Sequence, residues 1–413
     1  MSVRADTDTD AALSLLSAAA VRERADLLLH KGLDGELAHF RIDLRRLESA
    51  ADLTLEVTRA AYPDLDIPFH SRWRHFVLDG QDRWASLAGA SGWHDRAARA
   101  EFDLAVISVL LDAGAGPDWR FRDATSGRDI GRSEGLALAS LAMFASGVFS
   151  SHPGDPLRAD ARMLERLADE TLLTGFQVGD ANPLPGIAGR ADLLRRLGRT
   201  VAAAPAIFGM KDEPRPGGLF DHLAGLAAGG RIEAATILRE LLIHLGPIWP
   251  SRIALGGIPL GDCWRHPALR TSDATDRLVP LHKLSQWLAY SLIEPMQRAG
   301  IAVTAIDGLT GLAEYRNGGL FIDSGALVFR DAEDARRRHK VSAPLVVEWR
   351  ALTVGLLDRL AALVRMRMRR DAHDLPLARI LQGGTWAAGR MLARRLRPDG
   401  APPVAVISDG TVF

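Results

Sequence analysis

Residues Pro344–Arg370 read PLVVEWRALTVGLLDRLAALVRMRMRR. Leu345, Trp349, Leu352, Leu356, Leu360 and Leu363 recur at spacings of three and four, one stripe on one face of a long helix. Pro344 suits a first turn, where its missing N–H costs nothing. Arg365, Arg367, Arg369 and Arg370 crowd the far end and complement the helix dipole, as a solvated helix end would. Upstream, residues 11–30, 45–60, 98–113, 134–148, 160–175, 189–203 and 231–245 are also rich in helix formers. β-like composition is confined to Ile301–Ile306, Leu320–Ile322, Ala326–Phe329 and Val404–Ile407. Strands and helices do not alternate, which argues against a doubly wound sheet. The expected fold is mainly α, with a small β-hairpin or sheet.

The 413 residues suffice for a single helical domain over 1–413, or for two lobes, 1–150 and 151–413, the second carrying most of the site. Breakers cluster in SHPGDPL (151–157), DANPLPG (180–186) and KDEPRPGG (211–218), which read as loops too short to be linkers. Lys+Arg and Asp+Glu are both 51, so the basic excess expected of a nucleic-acid binder is missing. Cys263 is the sole cysteine, which rules out an intrachain disulfide and fits a reducing compartment. No apolar run approaches the roughly 20 residues that span a bilayer. MSVRADTDTD is followed by no signal-like apolar region, so the cytoplasm is the expected location, with no membrane partner. Lysine occurs only at Lys31, Lys211, Lys283 and Lys340, so Lys283 stands out in its apolar segment.

Five short motifs gather the unusual polar residues. PFHSRWRHFVLDGQDRW (68–84) sets His70, Arg72 and Arg74 among aromatics, the makings of an anion or sugar-phosphate pocket, or of an amphipathic segment with exposed arginines. GGIPLGDCWRHP (256–267) is a loop anchored by Ile258, Leu260 and Trp264, which would hold Asp262, Arg265 and His266 in place. Cys263 and His266 lack a second Cys/His pair at ligand spacing, a poor metal signal. LVPLHKLSQWLAYSLIEP (278–295) reads as a helix with a polar stripe of His282, Gln286 and Tyr290 beside Lys283; that stripe must meet water, polar partners or a ligand. AIDGLTGLAEYRNGGLFIDSGALVF (305–329) carries five glycines with Asp307, Glu314 and Asp323, and Arg316 and Asn317 directly after Glu314. Its glycines would let the backbone approach a ligand, and Arg316 would tune the Glu314 carboxylate. LQGGTWAAGR (381–390) reads as a helix start, with Thr385 as its cap and Trp386 next to it, where free N–H groups could bind an anion. GxGxxG after a strand, GxxxxGK[ST], GxSxG and HExxH are all missing.

HSRWRHF, PLGDCWRH, HKLSQWLAYSLIEP, GLTGLAEYRNGGLFIDSGAL, GGTWAAGR and the terminal ISDGTVF, from residue 70 to the end, together resemble the uracil-catabolism or uracil-regulated family of fungi and bacteria. The resemblance implies a pyrimidine-degradation route in which uracil becomes a nucleotide, its ring opens and urea leaves. The implied step is cleavage of ribosylurea 5′-phosphate into urea and ribose 5-phosphate. The chain is also distantly similar to the helical queuosine-nucleotide glycosylases. Glu314-Tyr315-Arg316 stands where they have D-Y-R, His282–Gln286 where they have Y-K-R-A-Q, and Glu348–Ala351 resembles their E-I-R-A. Glu replaces Asp in the first motif and Leu284 replaces an arginine in the second, so a different leaving group is expected.

N-glycosidic hydrolysis passes through an oxocarbenium-like state. It needs a carboxylate by the anomeric carbon, donors for the leaving nitrogen and cations for a phosphate. On the resemblance, Glu314 is the expected carboxylate, with Asp262 or Asp323 as the second. Arg316, Lys283, Arg72 and Arg74 are expected at the phosphate. Trp264, His282, Gln286 and Asn317 would read the ureido group or ribose hydroxyls, with His70, His266, Thr385 and Trp386 completing the binding set. No metal or other cofactor is required. The rival readings are an amidohydrolase acting on the ureido C–N bond, which would need a Cys or Ser nucleophile with a base or a metal cluster, Cys263 being the sole thiol, and a non-catalytic sensor of a pathway intermediate.

Overall fold

Pro344 opens a helix that runs to Met368 in the computed structural model, which describes residues 2–90, 97–116, 118–209, 213–249 and 253–407. The part of ISDGTVF beyond Ile407 and the first two residues of KDEPRPGG fall outside them. The helix is not one-sided: every residue from Leu345 to Leu357 is buried, Glu348 and Arg350 included. A helix enclosed on all sides is a core element, not an amphipathic cover. Its arginines do not simply face water either. Arg365 pairs with Asp307 and Arg367 with Glu48.

The chain divides into two compact units. The first comprises Met1–His70, Ser251–Gln286 and Ala305–Phe413; the second comprises Ser71–Pro250 and Trp287–Thr304. The SHPGDPL loop lies inside the second unit, where Asp160 takes the backbone N–H groups of both Ser151 and Met163.

In the first unit, the helices Ala18–Leu33, Leu44–Ala61 and Tyr315–Asp323 pack on Pro344–Met368. Ser17 interrupts the helix expected over 11–30, because its hydroxyl caps the second half at Ala20 N–H. Leu320–Ile322 is helical rather than extended: it belongs to Tyr315–Asp323, whose first turn is capped by Glu314. LQGGT is not a helix start. Leu377–Ile380, a π-helical turn at Leu381–Thr385 and Trp386–Leu396 follow one another without a break. Its glycines serve helix crossing. A Cβ on Gly384 would stand 2.4 Å from Thr54 Cγ2, and one on Gly389 would stand 2.1 Å from the Arg316 carbonyl oxygen. Among the described residues strands pair only in twos, in this unit Phe40–Ile42 with Leu327–Phe329, Cys263–Arg265 with Leu278–Pro280 and Arg338–Lys340 with Ala405–Ile407 among them.

The second unit is built from Ala97–Leu110, Arg132–Ala145, Ile187–Ala203, Ala234–His244 and shorter helices. The helix expected over 160–175 is two, Ala161–Glu165 and Asp169–Gly175. Ala302–Thr304 pairs in parallel with Arg231–Glu233. The fold is mainly α with small sheets, as the sequence indicates. No helix of the described residues is long and apolar enough to cross a membrane.

Candidate active site

Glu314 begins the Tyr315–Asp323 helix and caps it with its own carboxylate. Oε1 accepts from Asn317 N–H at 2.5 Å and Oε2 from Arg316 N–H at 2.7 Å. Ser, Thr, Asp and Asn are the usual caps; the longer Glu must fold back over the first turn. The side chain is buried. Burial raises its pKa above the ordinary glutamate value, and the two N–H donors with the charges of Lys283 and Arg316 only partly offset the rise.

Asp262 sits opposite in character. Arg350 chelates it, Nη1 to Oδ1 and Nη2 to Oδ2 at 2.8 Å each. Trp264 Nε1 donates to Oδ1 at 2.6 Å, and Lys283 backbone N–H to Oδ2 at 3.0 Å. Burial penalises this charge, but Arg350, Trp264 and the Lys283 N–H outweigh it and hold the carboxyl well below the usual carboxylate range. Arg350 also donates from Nε to the carbonyl of Ala313, at 3.1 Å. The core helix thus grips both Asp262 and the residue before Glu314.

Lys283, half-buried, opens its helix immediately after these anchors. Its charge reaches both Glu314 and His70. His70 Nδ1 donates to Gln382 Oε1 at 3.0 Å, and Gln382 Nε2 donates to the Tyr62 hydroxyl at 3.1 Å. Burial lowers the His70 pKa to about 4, so the imidazole is neutral near pH 7 with its proton on Nδ1. Asn317 Oδ1 and Thr385 Oγ1 are buried and have no hydrogen-bond partner. Buried polar atoms of that kind call for a polar guest.

A carboxyl of raised pKa at a helix N-terminus, a lysine and a neutral histidine therefore share one neighbourhood in the first unit. The family model described as "Protein of unknown function (DUF1688)" matches residues 14–413. The chain belongs to this family. It is 39% identical to protein urg3 of Schizosaccharomyces pombe over 98% of this chain and 100% of that one. It is 37% identical to uracil catabolism protein 4 of Lachancea kluyveri over 92% of this chain and 93% of that one.

In this DUF1688 member several of the other expected site residues face protein. His282 Nε2 donates to the Leu15 carbonyl at 3.0 Å. Gln286 exchanges hydrogen bonds with Thr310. His266 Nε2 lies 3.3 Å from Glu348, whose other oxygen takes the N–H groups of His39 and Phe40. Arg316 donates to the Gly400 carbonyl and stacks on Tyr315. Trp386 lies under the guanidinium of Arg390. Of the five glycines in 305–329 only Gly325 has a positive φ, +83°, so the segment is helix-packing rather than a ligand-hugging loop. Asp323 is nine residues along the helix from Glu314, about 13 Å by helix rise, and is chelated by Arg397.

Arg72 and Arg74 belong to the second unit. Arg72 is fully buried, 3.0 Å from Asp112 and bonded to Ser108. Arg74 chelates Glu294 at 2.8 and 2.9 Å. Both charges are already matched by carboxylates of their own unit. Cys263 is fully buried, and burial followed by the Asp262 charge pushes its thiol far above the usual range, against a thiolate nucleophile. A wide cavity of about 680 Å³ opens in the second unit between Phe121, Met143, Thr174 and Gln177; no residue of the five motifs lines it.

Sequence reasoning missed Arg350 and Gln382 as parts of this arrangement. Arg350 offered a signal, a cation in the middle of a near-continuous apolar helix.

Proposed function

We propose that this chain is an N-glycosidase of uracil catabolism that hydrolyses ribosylurea 5′-phosphate to urea and ribose 5-phosphate. The name of the Lachancea kluyveri relative supports the pathway. The buried carboxyl of Glu314, held at its helix N-terminus by two backbone N–H groups, is the observation that carries the reaction type. Its raised pKa makes the carboxylate a better base toward water than an exposed glutamate. The C1′–N bond breaks with its electron pair leaving on the ureido nitrogen. Water adds to C1′ and gives one proton to Glu314, which passes it to the ureido nitrogen, so urea leaves neutral and the carboxylate is regenerated. The negative Glu314 stabilises the oxocarbenium-like state, and Lys283 supplies a point charge for the 5′-phosphate. Asn317 and Thr385 offer their unpartnered oxygens to ribose hydroxyls or ureido N–H groups.

Purified protein is incubated with ribosylurea 5′-phosphate, and ammonia is read with and without added urease. The expected result is ammonia only after urease, in step with ribose 5-phosphate. Ammonia without urease makes the chain an amidohydrolase of the ureido C–N bond. Binding with no product makes it a sensor. Either result overturns the proposal.

A further inference from the structure

The proposed hydrolysis leaves unused a group of side chains in the second unit. His222 lies on the Gly218–Leu226 helix; Glu240 and His244 lie on Ala234–His244. The i, i+4 spacing of Glu240 and His244 puts them on one face, one turn apart. His222 crosses to them from the neighbouring helix. His222 Nε2 is 2.7 Å and His244 Nε2 3.1 Å from the same oxygen, Glu240 Oε2. The imidazole planes stand at 84° with centroids 5.2 Å apart. One donor atom from each residue lies within 4.8 Å of the other two.

We propose that His222, Glu240 and His244 form a binding site for a divalent transition-metal ion, zinc foremost. Two imidazole nitrogens and one carboxylate oxygen are a donor set for zinc and its neighbours; calcium and magnesium take oxygen almost throughout. Donors around a tetrahedral zinc stand about 3.3 Å apart, which follows from metal–ligand distances of roughly 2.0–2.1 Å. Two of the separations, 2.7 and 3.1 Å, are close to that value, and the third is within 4.8 Å. The side chains are 18%, 15% and 22% exposed, so an ion can enter and keep a water as fourth ligand. The other His/Asp group of the described residues, Asp371, His373 and Asp374, is unlike this one. It comes from a single exposed turn, and Asp371 is occupied by the backbone N–H groups of His373 and Asp374.

The two helices are joined by the turn through Gly229 and Gly230 and by the strand Arg231–Glu233. An ion held by both helices clasps that helix–turn–helix segment, so its binding reads out as stability as well as stoichiometry.

The test uses the full chain, freed of metal with EDTA and titrated with zinc chloride in competition with a chromophoric chelator. One zinc per chain is expected, with a Tm that rises with zinc. The double variant His222→Ala/His244→Ala loses both responses, and His373→Ala keeps them. Wild type binding zinc no better than the double variant overturns the proposal, as does an equal loss in His373→Ala. Should the double variant not fold, cobalt substitution of the wild type decides. X-ray absorption showing two imidazole ligands sustains the site, and their absence removes it.

Discussion

Arg350 holds Asp262 by two parallel hydrogen bonds of 2.8 Å while its third nitrogen takes the carbonyl of Ala313. One buried guanidinium thus ties the Asp262 loop to the residue preceding Glu314. Removing one partner of a buried ion pair leaves an uncompensated charge, at about 3–5 kcal/mol. Arg350→Ala and Asp262→Asn are both expected to lower unfolding stability on that scale, measured by urea denaturation. A loss of activity with unchanged stability would instead give Asp262 a direct chemical role.

Glu314→Gln keeps the shape of the cap and removes the base. Turnover should fall by about 10²–10⁴, while putting an NH2 group in place of one of the two acceptor oxygens costs about 1–3 kcal/mol. Steady-state kinetics beside a thermal melt separates the two. Substantial turnover in Glu314→Gln discards the assignment.

The pH dependence has opposite signs at the two carboxyls. Glu314 must be ionised to act as base, and its pKa is raised from 4.5. The acid limb of kcat should therefore have its midpoint above 4.5. Because the folded pKa exceeds the unfolded one, this charge costs stability as pH rises past the unfolded value, and Glu314→Gln removes that cost. Asp262 has a folded pKa depressed below 3.8. Its stabilisation is full above that value and is lost as pH falls through the folded pKa. Stability curves of the two variants against pH, each compared with wild type, should diverge in these directions.

Lys283→Met should raise KM for the phosphorylated substrate and leave the free riboside little affected. Arg74→Met should leave KM for both unchanged, because Arg74 serves Glu294. Equal effects of Lys283→Met on the two substrates would take Lys283 off the phosphate.

Gly389→Ala places a methyl against the Arg316 carbonyl oxygen. Overpacking of this kind costs about 1–3 kcal/mol. Because Arg316 follows Glu314 closely, turnover should drop as well, and a melt with an activity assay checks both.

The helical class and the long Pro344 helix are legible in local pattern, because periodicity is local physics. The fate of the arginines is not. Arg72 finds Asp112 forty residues on, and Arg74 finds Glu294 220 residues on. A guanidinium poised for phosphate and one consumed by a distant carboxylate look alike until the chain is folded. The glycines misled for a similar reason: GGT reads locally as an open helix start, but Gly384 is small because the Leu44–Ala61 helix crosses there. Leu320–Ile322 reads as strand because apolar runs of three carry no period, and the Glu314 cap decides for helix.

The first unit takes its helices from both ends of the chain: Ala18–Leu33 and Leu44–Ala61 pack on Pro344–Met368. On the ribosome the early pair emerges long before its mate, at about 5–20 residues per second. For some tens of seconds those apolar faces have nothing to close on, whereas Ser71–Pro250 is delivered in one uninterrupted run. Production of this protein should accordingly depend on chaperone supply, and a nascent chain stalled before residue 344 should be a target for holdases and proteases.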